Sequence, residues 1–184
     1  MVALALAALA AGCSDVDTVA PQPCEQELTT PTFRACLPAD AEITVSGGTS
    51  AAARLGDVTI ELSEAEANHP DPDQAAFGAL ADLQAGVGRA IRASSPSAAA
   101  LGPEGPVDVA GTDGAFRSYR AAWDTGEVDH VLSWGRGLTV GDTAGAVLVV
   151  RQFDPDSEVS ADQADRAEQA ALPIVVTFLP RGDG

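Results

Sequence analysis

Ala144 to Phe153 reads AGAVLVVRQF, and its middle, Ala146 to Val150, is wholly apolar. A strand with one wet face alternates apolar and polar residues, whereas a strand covered on both faces is apolar throughout. This stretch therefore predicts a central strand with layers packed above and below it. Just upstream lie Val128 to Leu138 (VDHVLSWGRGL) and Ala115 to Trp123 (AFRSYRAAW), separated by Asp124-Thr125-Gly126 and, before the central strand, by Gly141-Asp142. Turns this short favour hairpins, so the three segments read as an antiparallel meander. Downstream, Ser160-Ala161-Asp162-Gln163 fits a capping box, and an alanine-rich helix runs from there through Ala171. Pro173 interrupts it, and Ile174 to Leu179 is expected to continue as helix after a kink, with a strand as the alternative.

Further upstream, Phe77, Leu80, Leu83, Val87 and Ile91 recur at spacings of three and four, the stripe of a long amphipathic helix with Asp73 as its cap. Val58, Ile60 and Leu62 alternate with Thr59 and Glu61, a strand with one buried face. Ala41 to Ser46 and Phe33 to Leu37 are shorter extended segments, bounded by Gly47-Gly48 and Pro38. Ser94 to Pro106 (SSPSAAALGPEGP) reads as a surface connection. The sum is an α+β domain: an antiparallel sheet with a long central helix and a C-terminal helix.

The chain has 184 residues, 46% of them apolar, which indicates a globular core and not a disordered chain. Its formal charge is −17, a surface that repels nucleic acid and anionic headgroups. Its basic residues are all Arg; without Lys there is no Walker-type lysine, Schiff-base lysine or lysine general base.

Met1 to Gly12 is a run of apolar and small residues, too short to span a bilayer, which takes roughly 20 residues. It has the length and small-residue exit of a secretory leader. Leu9-Ala10-Ala11-Gly12-Cys13 resembles a bacterial lipobox. That resemblance implies a diacylglyceryl and palmitate-bearing Cys13, cleavage before it, and a chain held at the extracytoplasmic face of the cell membrane. With Cys13 lipidated, Cys24 and Cys36 are left for each other in an oxidising compartment. Closing that loop stabilises by about 3 kcal/mol in the chain-entropy view. The expected organisation is a signal peptide over 1–12, lipidated Cys13 and a polar tether over 13–31, one α/β domain over 32–180, and a polar tail over 181–184.

From about Thr32 to Leu179 the element order resembles the small lipoproteins with a PsbP-like (Mog-type) fold. Local texture agrees: Cys36-Leu37-Pro38 opens the domain, the Gly114-to-Trp123 strand follows a Pro/Gly-rich loop, and Phe153 precedes a helix with an apolar end. The resemblance implies an α/β/α sandwich that acts as a binding or assembly factor and not as a catalyst. The family offers no shared motif from which functional residues could be carried over.

Candidate sites are few. Tyr119 and Trp123 share strand parity with each other and with Arg117. They are either core residues or the floor of a groove for a small-molecule or protein ligand, with Arg117 contacting an anion. His130, with acidic residues, would serve an extracytoplasmic hydrolase, although no Gly-x-Ser-x-Gly elbow accompanies it. Asp154 to Asp165 places oxygen side chains as a calcium loop requires, but Val159 stands where the loop needs Gly. Acidic residues before a helix are explained equally by its dipole. His69 with Asp71 and Asp73 reads as a turn and cap before a metal site. No catalytic set, metal centre or cofactor is expected.

Overall fold

The central strand of the computed structural model is the one expected, and the layers form around it. The structure describes residues 24–94, 99–107, 118–124, 131–153 and 160–182. In chain order these form β1 (Gln26–Thr29), β2 (Phe33–Leu37), β3 (Glu42–Val45), β4 (Ser50–Leu55), β5 (Val58–Glu66), α1 (Pro72–Ser94), β6 (Ala99–Val107), β7 (Ser118–Asp124), β8 (Val131–Val140), β9 (Thr143–Gln152), α2 (Ala161–Val176) and β10 (Leu179–Pro180). Seven strands make one sheet in the order β3-β4-β5-β9-β8-β7-β6, every pair antiparallel. Three more make a small antiparallel sheet, β1-β2-β10. The fold class is α+β.

β9 sorts its side chains by parity. Ala146 and Leu148 pack with Leu80, Leu83 and Val87 of α1. Val147 and Val149 face the larger core, with Ala164, Ala167, Ala171, Ile174 and Val175 of α2 and with Leu28, Phe33 and Leu37 of the small sheet. The layers are therefore α1, the large sheet, then α2 beside the small sheet. Several close approaches need glycine. A Cβ on Gly137 of β8 would strike the backbone carbonyl of Ala76 in α1. A Cβ on Gly145 of β9 would strike the ring of Phe33, which stacks on Phe178 at 5.2 Å.

Several elements depart from the sequence expectation. Residues 99–107 are not a free connection but the edge strand β6; Pro103 and Pro106 sit where the ladder shifts register, as prolines in an edge strand can. β1 forms inside the stretch read as tether, paired with β2 and bonded through Cys24. β4 is alanine-rich and has no β-branched residue; pairing with β5 makes it a strand, and Ala51 and Ala53 suit a tight contact in the core. The cap of α1 is Asp71 and not Asp73: its Oδ1 accepts from the N–H of Asp73 at 2.9 Å and of Gln74 at 3.3 Å, with Pro72 opening the helix. Phe77 is 37% exposed, while Ala75 and Ala76 are buried, because α1 lies too close to β8 for a large side chain there. α2 runs through Pro173 to Val176; Ile174 and Val175 are buried and hold the last turn despite the lost donor.

The expected capping box at Ser160 and Gln163 is present. Cys24 and Cys36 are joined, with Cα atoms 4.9 Å apart. The small sheet is tied to the rest at both ends. Cys36 N–H donates to Thr177 Oγ1 at 3.0 Å, and Glu64 of β5 accepts from Thr30 Oγ1 at 2.6 Å and Thr32 N–H at 2.9 Å. Arg181, expected in a polar tail, donates through its backbone N–H to Thr32 O at 2.7 Å and through Nη1 to Thr30 O at 3.1 Å. Under α2, buried Arg136 donates to Val176 O at 3.1 Å, where helix carbonyls end; burial lowers its pKa to about 10, so it stays charged at neutral pH. Trp134 Nε1–H donates to Glu168 Oε2 at 3.0 Å.

Candidate functional site

The register of β4, β5, β9 and β8 sets side chains in rows across the large sheet. Arg54 stands opposite Thr59, Thr59 opposite Val150; Glu61 stands opposite Leu148; Gln152 stands opposite Val131. Directly opposed residues share a face. On this face α1 is drawn down onto β8 and β9, where Gly135 and Gly137 admit it. It leaves the same face of β4 and β5 partly open. The result is a cleft of about 470 Å³, floored by Thr59 and Glu61, walled by Val87 and Ala90 of α1 on one side and edged by Arg54 on the other. That volume falls in the range of small-ligand sites.

The charged groups of the cleft come from the β4–β5 hairpin and its valines from α1, β8 and β9. Val87, Val131 and Val150 supply the apolar surface; Arg54, Asp57 and Glu61 supply the charge. Asp57 is already engaged, with Arg151 Nη2 at 2.9 Å from Oδ2, and the Arg151 guanidinium lies 4.9 Å over the Phe153 ring. Glu61 is half-buried and burial raises its pKa above the usual carboxylate range. Among the described residues, neither Glu61 nor exposed Arg54 has a side-chain hydrogen bond or ion pair.

The sequence singled out other residues. Cys13, Arg117, His130 and Asp154 to Val159 lie outside the described residues. Tyr119 and Trp123 are in β7, and the backbone register sets Trp123 opposite Val131, in the row that ends at Gln152. His69 Nδ1 accepts the N–H of Asp71 at 3.0 Å, a turn contact that feeds the cap of α1. Beside it, Asn68, Pro70, Thr139 and Asp142 border a second hollow of about 300 Å³. Among the described residues no group of three or more His, Cys, Asp or Glu is placed to hold a metal ion. No described helix is long and apolar enough to cross a membrane. Sequence reasoning did not single out Arg54 or Glu61. The available signal was the polar face of β5: Thr59 and Glu61 alternate with its buried residues, and such a face reads as solvated until a helix is seen to roof half of it.

No protein-family model matches the sequence, and no curated protein matches it. Among solved structures, the chain is similar to a protein of Bacteroides thetaiotaomicron VPI-5482, with 12% identity, a TM-score of 0.39, and coverage of 83% of this chain and 46% of that one. The present chain thus spans less than half the length of that structure. It is also similar to the cyanobacterial PsbP (CyanoP) of Synechocystis sp. PCC 6803, with 9% identity, a TM-score of 0.45, and coverage of 81% of this chain and 86% of that one.

Proposed function

We propose that this chain is a lipid-anchored, extracytoplasmic, non-catalytic binding module of the PsbP-like kind. The observation that carries the reading is the bond between Cys24 and Cys36, eleven residues past the lipobox-like cysteine. Disulfides persist in oxidising compartments, and a Cys13 thioether would leave this pair as the remaining thiols. The layers of helix, sheet and helix agree with the architecture implied by the PsbP-like resemblance. The cleft over β4, β5 and β9 gives such a module a place to bind. Cys13 anchors the chain to the membrane, and the acidic body faces the aqueous side.

Fractionation of cells making the full chain tests the anchor, with Cys13→Ser as control. The wild type is expected in the membrane fraction and the variant in the soluble one. Mass spectrometry of the N-terminal peptide is expected to show a diacylglyceryl adduct on Cys13. An unlipidated wild type in the soluble fraction overturns the reading.

A further inference from the structure

We infer that the cleft under α1 binds a small zwitterion with an apolar side chain, of the class of a free apolar amino acid or a short apolar peptide. The inference deepens the reading of the chain as a binding module and rests on it. It starts from two opposite charges on one cleft. Glu61 and Arg54 lie on adjacent strands, one diagonal step apart, because Glu61 faces Ala52 and Arg54 faces Thr59. Diagonal neighbours on an antiparallel pair are about 7 to 8 Å apart at the backbone, within reach of long side chains. Yet the two are not joined to each other, and among the described residues neither has another side-chain partner. A half-buried carboxylate without a partner costs desolvation that a bound ammonium would offset. An Arg fork beside it fits a carboxylate in two-point geometry.

A plain cation would satisfy Glu61 but be repelled by Arg54, and a plain anion would meet the reverse. A molecule with both groups satisfies both. Val87, Val131 and Val150 then receive its apolar part, whose burial favours binding by about 25 cal/mol per Å². A cleft of about 470 Å³ has room for an amino acid or a dipeptide. The third charge on the cleft, Asp57, is held by Arg151 and does not compete for the ammonium.

The test is calorimetric titration of the purified full chain with four probes: L-leucine, leucinamide, 4-methylpentanoate and the dipeptide Leu-Leu. Leucine or Leu-Leu is expected to bind, and the tighter of the two identifies the source of the zwitterion. Leucinamide, lacking the carboxylate, and 4-methylpentanoate, lacking the amine, are expected to bind at least tenfold more weakly. Arg54→Gln, at an exposed position, and Glu61→Gln are each expected to weaken the zwitterion at least tenfold, with far-ultraviolet circular dichroism showing the fold retained. No heat with either zwitterion, or equal binding of leucinamide, or full binding by folded Arg54→Gln, overturns the inference. The titration reads the cleft and the fractionation reads the anchor, so either can fail without the other.

Discussion

Gly137 is the residue on which the spacing of α1 depends. Its missing side chain lets the helix backbone at Ala76 rest on β8, and a methyl group there would meet a carbonyl that cannot rotate away. Gly137→Ala should therefore destabilise the fold by about 1 to 3 kcal/mol, the usual cost of overpacking, read as a lowered midpoint in urea. An unchanged midpoint would mean that the helix does not lie this close. Glu61 behaves differently because its difficulty is charge and not volume. Burial raises its pKa in the folded chain, so the fold favours the protonated form. The stability this contributes is complete below the usual carboxylate range and is lost as pH rises through the raised value. Glu61→Gln should remove that loss. Its stability relative to wild type should grow as pH rises from the usual carboxylate range through the raised value, as read by urea melts at each pH. A constant gap across the range would contradict the desolvated carboxylate.

Among the elements, α1 is legible in outline from its apolar stripe but not at its start. Asp71 and Asp73 flank Pro72 symmetrically, and both are good capping residues. Only the backbone shows that Asp71 receives the two N–H bonds. Asp71→Ala should cost about 1 kcal/mol and Asp73→Ala a few tenths, compared by thermal melting. Equal effects would return the cap to an open question between the two. The strands show the same division. β9 is legible because the apolar run Ala146 to Val150 points to cover on both faces, and Val147, Leu148 and Val149 are indeed buried. β4 and β6 are not, because Ala51 to Ala53 have little strand preference of their own and Pro103 and Pro106 argue for a loop. Both are strands through the neighbours they pair with, a tertiary effect that local residues do not carry. The cleft was hidden for a related reason. Arg54 and Glu61 are unremarkable polar positions along their strands, and only the register of β4 on β5, together with the lie of α1, sets them on one concavity.

For the whole molecule, the order of strand pairs, helix, meander and helix implies α+β, but nothing in that order marks the second sheet. That sheet is small, yet it joins the first and last described strands: β2 lies between β1 and β10, and Arg181 bonds back to Thr30 and Thr32. Within it, the link from Cys24 to Cys36 has a mechanical meaning. A pull arriving from the residues before Cys24 does not have to unzip β1. The sulfur bridge carries the force past residues 25–35 and delivers it to β2, the strand flanked on both sides and held by Thr177. A force applied at Cys24 would thereby be received at the braced middle strand of the small sheet, and β1 would stay unloaded for as long as the two sulfurs remain joined.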